Sequence, residues 1–460
     1  MDTSLIPPAQ WAQNEFGFAQ LGDQRRNKRL VNIAEHLAAN PCGLLPQAFE
    51  DWAELKAAYR FFGQRGVSFE RVMAPHVERT RQACRQPGEY LLIEDTTALD
   101  YSRHGATGGL GVLGIRGRGF ELHSALAVRV EAWTLEQRPE GVVLGLFDQQ
   151  CRCPRRVEAG QKRGEVLSRP RKTQAWAAGI KKAGRPPQGS RWIYVADRES
   201  DFYEPLHLCQ QQGVDWVVRA YHDRLLVGQP EHLLAAVAQA PVLGRMPVAV
   251  RARGGQPART ALVEVRSGRV ELAGPWRPGG WQEPLSNVGV IEVAEISAPV
   301  GVPEPLRWLL LTSLPGGTWA EVQRVVGYYT ARWWIEEYHK ALKSGTSVKQ
   351  SQLERADRLE PLIGILAVVA VRLLNAKMLA RSRPKSQEAV VSLGPVLLTL
   401  LEKKQGPPQE GWTNRSLIRA VARVGGFIGR KSDGEPGWQT IWRGWQRLMW
   451  MCEGANLIES

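Results

Sequence analysis

Two short apolar runs, each closed by an acid, limit what this chain can fold into. Leu91–Ile93 in EYLLIEDTTALDY ends in Glu94 and Asp95, and Trp192–Ala196 in RWIYVADRESDFYEPLHL ends in Asp197. Both read as buried strands, the second followed by a helix. Between them, SALAVRVEAWTL and GVVLGLFDQQ form an antiparallel pair across a polar turn. TQAWAAGIKKA reads as a helix, and DWVVRA supplies a fifth strand. Strands and helices in this order predict an α/β core with a partly antiparallel sheet. An acid at a strand end is commonplace, yet the carboxyl ends of the strands are where an open sheet gathers its ligand-binding groups.

At 460 residues the chain is too long for one core and is expected to divide into two or three domains. Its first 70 or so residues are helical by pattern. Asp23 caps a helix whose buried stripe is Leu30, Ile33, Ala34 and Leu37, while Arg25, Arg26, Lys28 and Arg29 crowd its first turns against the helix dipole. Residues 225–315, rich in Gly, Pro and Val, read as a β insertion from which RWLLLTSLP leads back to the core. EPLIGILAVVAVRLLNAKML is a long apolar helix, 381–411 a loose stretch containing several prolines, and the C-terminal segment is helical again.

The segment YYTARWWIEEYHKALKSG, residues 328–345, maps onto an amphipathic helix at about 100° per residue. Ala331, Ile335, Tyr338 and Leu342 share one stripe; Tyr329, Arg332, Glu336, Lys340 and Lys343 share the opposite one. Two readings fit. One is a solvated helix with paired charges; the other is a carboxylate that holds a metal, with cations beside it to hold phosphates. In the second reading Asp95, Asp197 and Glu336 bring three carboxylates from three distant segments. Mg²⁺ takes one or two carboxylates each, so three suffice for two ions serving an in-line displacement at phosphorus.

The net charge of +14 and a pI near 9.7 favour a polyanionic partner, nucleic acid or an acidic membrane surface. No apolar run is expected to reach the ~18 residues of a bilayer span, and MDTSLIPPAQW lacks the pattern of a signal peptide, so the chain is expected in the cytosol. Between 151 and 185 eleven Lys or Arg face two acids, a run suited to lining a DNA track. Trp308, Trp333 and Trp334 are candidates for stacking on unpaired bases. Six scattered cysteines, of which only Cys151 and Cys153 are close, match no zinc-finger spacing and suggest no disulfide framework.

The series Tyr329, Arg332, Glu336, Lys343 has Y-(2)-R-(3)-E-(6)-K spacing. Together with LGDQRRNKRLVN, IEDTTALDY, ADRESD, PLRWLLLTS and GGFIGRKSDGEPGWQTIWRGWQ, in order along the chain, it resembles the insertion-sequence-four family of bacterial DDE transposases, most of all its transposon-five branch. The resemblance implies a ribonuclease-H-like catalytic core at 71–375, with a β insertion at about 225–315, between a helical DNA-end-binding domain at 1–70 and a helical dimerisation region at 376–460. It implies that Asp95, Asp197 and Glu336 are the catalytic metal ligands, for Mg²⁺ with Mn²⁺ as a substitute. Tyr329, Arg332 and Lys343 would hold terminal phosphates, and Arg26 and Arg29 would contact the transposon end. Trp308 would occupy the space of a flipped base, with Trp333 near the DNA end. The implied partners are double-stranded DNA, at transposon ends and target, and a second copy of the chain, in the nucleoid rather than on a membrane. The expected function is cut-and-paste transposition. The alternatives are a non-catalytic end-binding repressor and a structure-selective nuclease.

Overall fold

The computed structural model describes residues 7–154, 172–251, 257–278, 280–299, 301–302, 304–382, 385–387, 390, 395–430 and 433–459. Residues 155–171 of the basic run between 151 and 185 therefore lie outside the described residues. Five helices open the chain: α1 (Pro8–Phe16), α2 (Gln24–Ala39), α3 (Leu45–Ala48), α4 (Trp52–Phe62) and α5 (Phe69–Cys84). Asp23 accepts the Arg25 N–H at 2.8 Å and starts α2, whose Leu30, Ile33, Ala34 and Leu37 are all buried.

A ten-stranded sheet follows. Its first strands are β1 (Gly88–Asp100), β2 (Gly111–Leu113), β3 (Gly117–Trp133), β4 (Pro139–Arg152), β5 (Ser190–Ala196) and β6 (Asp215–Arg219). Those of the expected insertion are β7 (Val242–Val250), β8 (Arg259–Leu272) and, beyond a small separate hairpin of β9 (Trp276–Arg277) and β10 (Gly280–Trp281), β11 (Leu285–Glu295) and β12 (Arg307–Thr312). The order is β2-β3-β1-β5-β6-β12-β11-β8-β7, with β4 also on β3. Strands β1, β5 and β6 are parallel and every other pairing is antiparallel. The insertion thus prolongs the main sheet: β12 returns the chain by pairing with β6, Leu311 opposite Val218.

Strand alternation gives the sheet two buried faces. Leu91, Ile93, Ile193, Val195 and Val217 belong to one core and Tyr90, Leu92, Trp192, Tyr194, Trp216 and Val218 to another. The second core includes Ile180 of α6 (Ala178–Ala183), Leu206 of α7 (Tyr203–Gln212) and Leu233 of α8 (Leu233–Gln239). The first includes α9 (Trp319–Ala331), α10 (Trp333–Gly345) and the long α11 (Ala356–Ser382), against which α2, α4 and α5 also pack. Helices α12 (Pro395–Gln405), α13 (Asn414–Val424) and α14 (Trp438–Glu459) close the chain around Leu401, Leu417, Val421 and Leu448. Gly425 and Gly444 let α13 and α14 meet backbone to backbone: a Cβ on Gly444 would lie 1.7 Å from the Val421 carbonyl oxygen, and one on Gly425 1.9 Å from that of Thr440.

Four sequence expectations need correction. TQAWAAGIKKA is not one helix: it breaks at Ala177, whose φ of 56° lets its N–H donate to the buried Glu94 carboxylate at 2.9 Å before α6 begins. The supposedly loose 381–411 contains α12, anchored by fully buried Leu401. A stretch long and apolar enough to span a membrane does exist, Ala356–Met378 within α11, but 78% of its most apolar window is buried in the protein, which makes it a core helix. Residues 328–345 form two helices, parted at Arg332, where hydrogen bonds tighten from i−4 to i−3: Arg332 N–H to Tyr329 at 3.1 Å and Ile335 N–H to Arg332 at 3.2 Å.

Candidate metal and phosphate site

Register and alternation bring the two aspartates together, with one correction to the sequence reading: Asp95 does not end its strand, because β1 runs on to Asp100 and Asp95 pairs with Ser124 of β3. Strands β1 and β5 run parallel with Glu94 opposite Ala196, so Asp95, inside β1, stands beside Asp197, which follows the last residue of β5. Asp95 continues the Leu91/Ile93 face and Asp197 the Ile193/Val195 face, the side on which α10 packs. Asp95 is 8% exposed and accepts the Thr96 N–H at 2.7 Å. Asp197 caps the turn Arg198–Ser200 by accepting the Glu199 N–H at 2.8 Å. Glu94, one residue earlier, points into the opposite core. There it accepts the Ala177 N–H and lies 3.2 Å from His123 Nε2, while His123 Nδ1 is 2.9 Å from Thr96 Oγ1.

Glu336 reaches the same place from the first turn of α10. Arg332, at the α9–α10 junction, donates to Asp95 Oδ2 at 3.2 Å and to Glu336 Oε1 at 3.4 Å, bridging the two acids. One turn further on, His339 joins them: one oxygen each of Asp95 and Glu336 and a ring nitrogen of His339 lie within 4.8 Å of one another. Asp197 is not in that trio, but its charge is felt there. Burial, then Asp197 and Glu336, push the Asp95 carboxyl up to about 7 against the pull of Arg332. Burial, with Lys343, His123 and Arg332 nearby, pushes His339 down to about 3, so its imidazole is neutral. Burial and Lys349 lower Lys343, while Glu336 and Asp95 oppose that shift. A carboxyl at Asp95 that resists ionising, crowded by two further acids and beside a neutral nitrogen, fits a divalent cation, whose charge would reverse the local cost.

The other predicted residues divide. Tyr329, expected on the polar stripe, is buried, because Trp308 of β12 covers it edge-on at 5.0 Å between ring centroids. Burial raises its phenol, opposed by nearby Arg332 and Arg219. Arg219 belongs to a cleft of about 290 Å³ beside the site, lined also by Arg198, Tyr221 and Arg307. Trp333 donates to Glu337 at 3.1 Å and has Arg251 and Lys340 each 4.4 Å from its ring, so it is held among cations. Trp334 lines a different cavity, with Met246 and Val326. Arg26 donates to the Leu21 carbonyl at 3.0 Å and Arg29 to Asn32 at 3.2 Å; both are half-buried, whereas Arg25 and Lys28 are exposed. His339, Arg219 and Lys349 escaped the sequence reading. Only His339 left a local signal, the Glu-x-x-His spacing from Glu336.

Two family models match the chain. A transposase DNA-binding model matches residues 8–67, spanning α1 to α4, and a transposase Tn5 dimerisation domain model matches residues 368–460, from within α11 through α14.

Proposed function

Because this chain is a Tn5-like transposase that binds DNA and pairs with a second copy of itself, we propose that it performs cut-and-paste transposition through Asp95, Asp197 and Glu336. What supports this reading is Asp95 of β1, which has Asp197 beside it just past the end of the parallel strand β5, Glu336 of α10 within reach, and the charges of both acting on its carboxyl. The run β4-β3-β1-β5-β6, antiparallel up to β1 and parallel beyond it, supports a ribonuclease-H-like core. On this reading 1–70 reads the transposon end, 71–375 is catalytic and 376–460 dimerises.

A divalent cation, Mg²⁺ or in its place Mn²⁺, supplies Lewis acidity at phosphorus when bound by these carboxylates. Arg332, which bridges Asp95 and Glu336 in the free protein, would hold a terminal phosphate together with Lys343 and Tyr329. Trp308 stacks where a base is flipped out, which eases a tight DNA bend. Arg26 and Arg29 help position the transposon end. Water nicks one strand, the exposed 3′-hydroxyl attacks the opposite strand to leave a hairpin, water opens the hairpin, and the freed 3′-hydroxyls attack target DNA. All are in-line displacements, so one site serves them all, in a protein working on DNA in the cytoplasm and nucleoid.

The test incubates purified chain with Mg²⁺ and a linear donor carrying the DNA that flanks its reading frame, and resolves products on a denaturing gel. Hairpin-ended fragments, absent with Glu336→Ala although end binding persists, are the expected result. Binding without cleavage, in Mn²⁺ as well, would replace the proposal with an end-binding repressor; cuts confined to branched DNA would replace it with a nuclease.

A further inference from the structure

Glu336 and His339 sit at i and i+3 on α10, a spacing that sends a carboxylate and an imidazole from one helix toward a single metal ion. With Asp95 they form the only group of three potential ligands among the described residues whose donor atoms lie within 4.8 Å of one another. His339 is 5% exposed, and its Nε2 is buried without a hydrogen-bond partner. Buried side-chain nitrogens ordinarily have one. His123, close by, shows the contrast: both its nitrogens are engaged, with Glu94 and Thr96.

We propose that His339 is the third protein ligand of the cation shared by Asp95 and Glu336, and that its nitrogen tilts this position toward Mn²⁺ over Mg²⁺. The proposal rests on the metal-site reading above. Mg²⁺ is a hard ion that seeks oxygen donors and gives up water reluctantly, whereas imidazole suits the first-row transition ions. Asp197 stands outside the trio, so the nitrogen marks one position, between Asp95 and Glu336, and leaves the Asp197 side an all-oxygen environment.

The test is pulsed paramagnetic resonance of Mn²⁺ added to the full chain without DNA, with Mg²⁺ as competitor. Wild-type protein should bind Mn²⁺ in a manner lost in Asp95→Ala, with a nitrogen hyperfine coupling that shifts when the histidines carry heavy nitrogen. In His339→Leu that coupling should vanish and the Mn²⁺ Kd should rise about 10-fold or more, with a smaller change for Mg²⁺. Asp95-dependent Mn²⁺ without nitrogen coupling in the wild type would overturn the role of His339 and leave the metal site standing. Persistence of the coupling in His339→Leu would overturn that role in the same way. Failure to find Asp95-dependent Mn²⁺ would overturn both. The wild-type spectrum decides even if His339→Leu does not fold.

Discussion

Replacing Asp95 by Asn should abolish cleavage and at the same time stabilise the free protein. A carboxyl moved from 3.8 to about 7 by burial and by its acidic neighbours is one whose ionised form costs the folded chain about 4 kcal/mol relative to its neutral form. The protonated form is favoured by folding, so its stabilising contribution is fully present below 3.8 and is lost as pH rises through about 7. Asn imitates the neutral acid at every pH, though Arg332 loses the stronger of its two carboxylate partners and keeps Glu336. The net gain near pH 8 is then about 2–4 kcal/mol, shrinking toward zero near pH 4. For a folded unit of about 300 residues that corresponds to a rise of roughly 5 °C in thermal midpoint. Thermal unfolding of both proteins, in chelator and without DNA, at the two pH values is the assay. An Asp95→Asn variant no more stable than wild type near pH 8, or stabilised equally at both values, would refute the argument that Asp95 is held in a destabilising, ligand-ready state.

Breaking the buried ion pair between Lys377 of α11 and Glu337 of α10, 2.5 Å apart and both under one-tenth exposed, should cost about 3–5 kcal/mol in Glu337→Leu or Lys377→Met. The double variant should recover part of that loss in urea unfolding, and strictly additive losses would dismiss the coupling. Trp308→Ala should slow hairpin formation while sparing the first nick, since one base–aromatic stack is worth about 1–3 kcal/mol, a factor of roughly 5–150 in single-turnover gels. Arg332→Ala removes the cation that bridges Asp95 and Glu336, so calorimetry should find tighter Mn²⁺ binding in the free protein and weaker binding of DNA ends. Gly444→Ala places a methyl 1.7 Å from the Val421 carbonyl oxygen and forces α13 from α14. Sedimentation of the DNA complex should then show less dimer, with a stability loss of about 1–3 kcal/mol.

What the sequence disclosed was local, and what it concealed depended on a partner from elsewhere in the chain. An apolar run closed by an acid is a local pattern, and the burial of Leu91–Ile93 and Trp192–Ala196 was legible from it, as was the cap at Asp23; that β1 continues past Asp95 to Asp100 and that residues 328–345 part at Arg332 was not. The place of β12 between β6 and β11 is a choice among strand pairings, invisible in the run of RWLLLTS itself. The positive φ at Ala177 exists because a buried carboxylate waits for its N–H, and Tyr329 is buried because Trp308 arrives from a strand more than twenty residues earlier.

Glu94 and Asp95 show why that division matters for function. They are consecutive acids within one strand, both almost fully buried, and composition cannot tell them apart. Alternation turns Glu94 toward α6, where a backbone N–H and His123 satisfy it, and turns Asp95 toward α10, where Glu336 and Asp197 crowd it and Arg332 offsets only part of their charge. A satisfied buried carboxylate fixes a fold; a crowded one lowers its energy only when something cationic arrives. The residue poised for chemistry is therefore the one whose fold-internal interactions leave it worst served, and the same test singles out His339, whose Nε2 is buried in the protein without a partner.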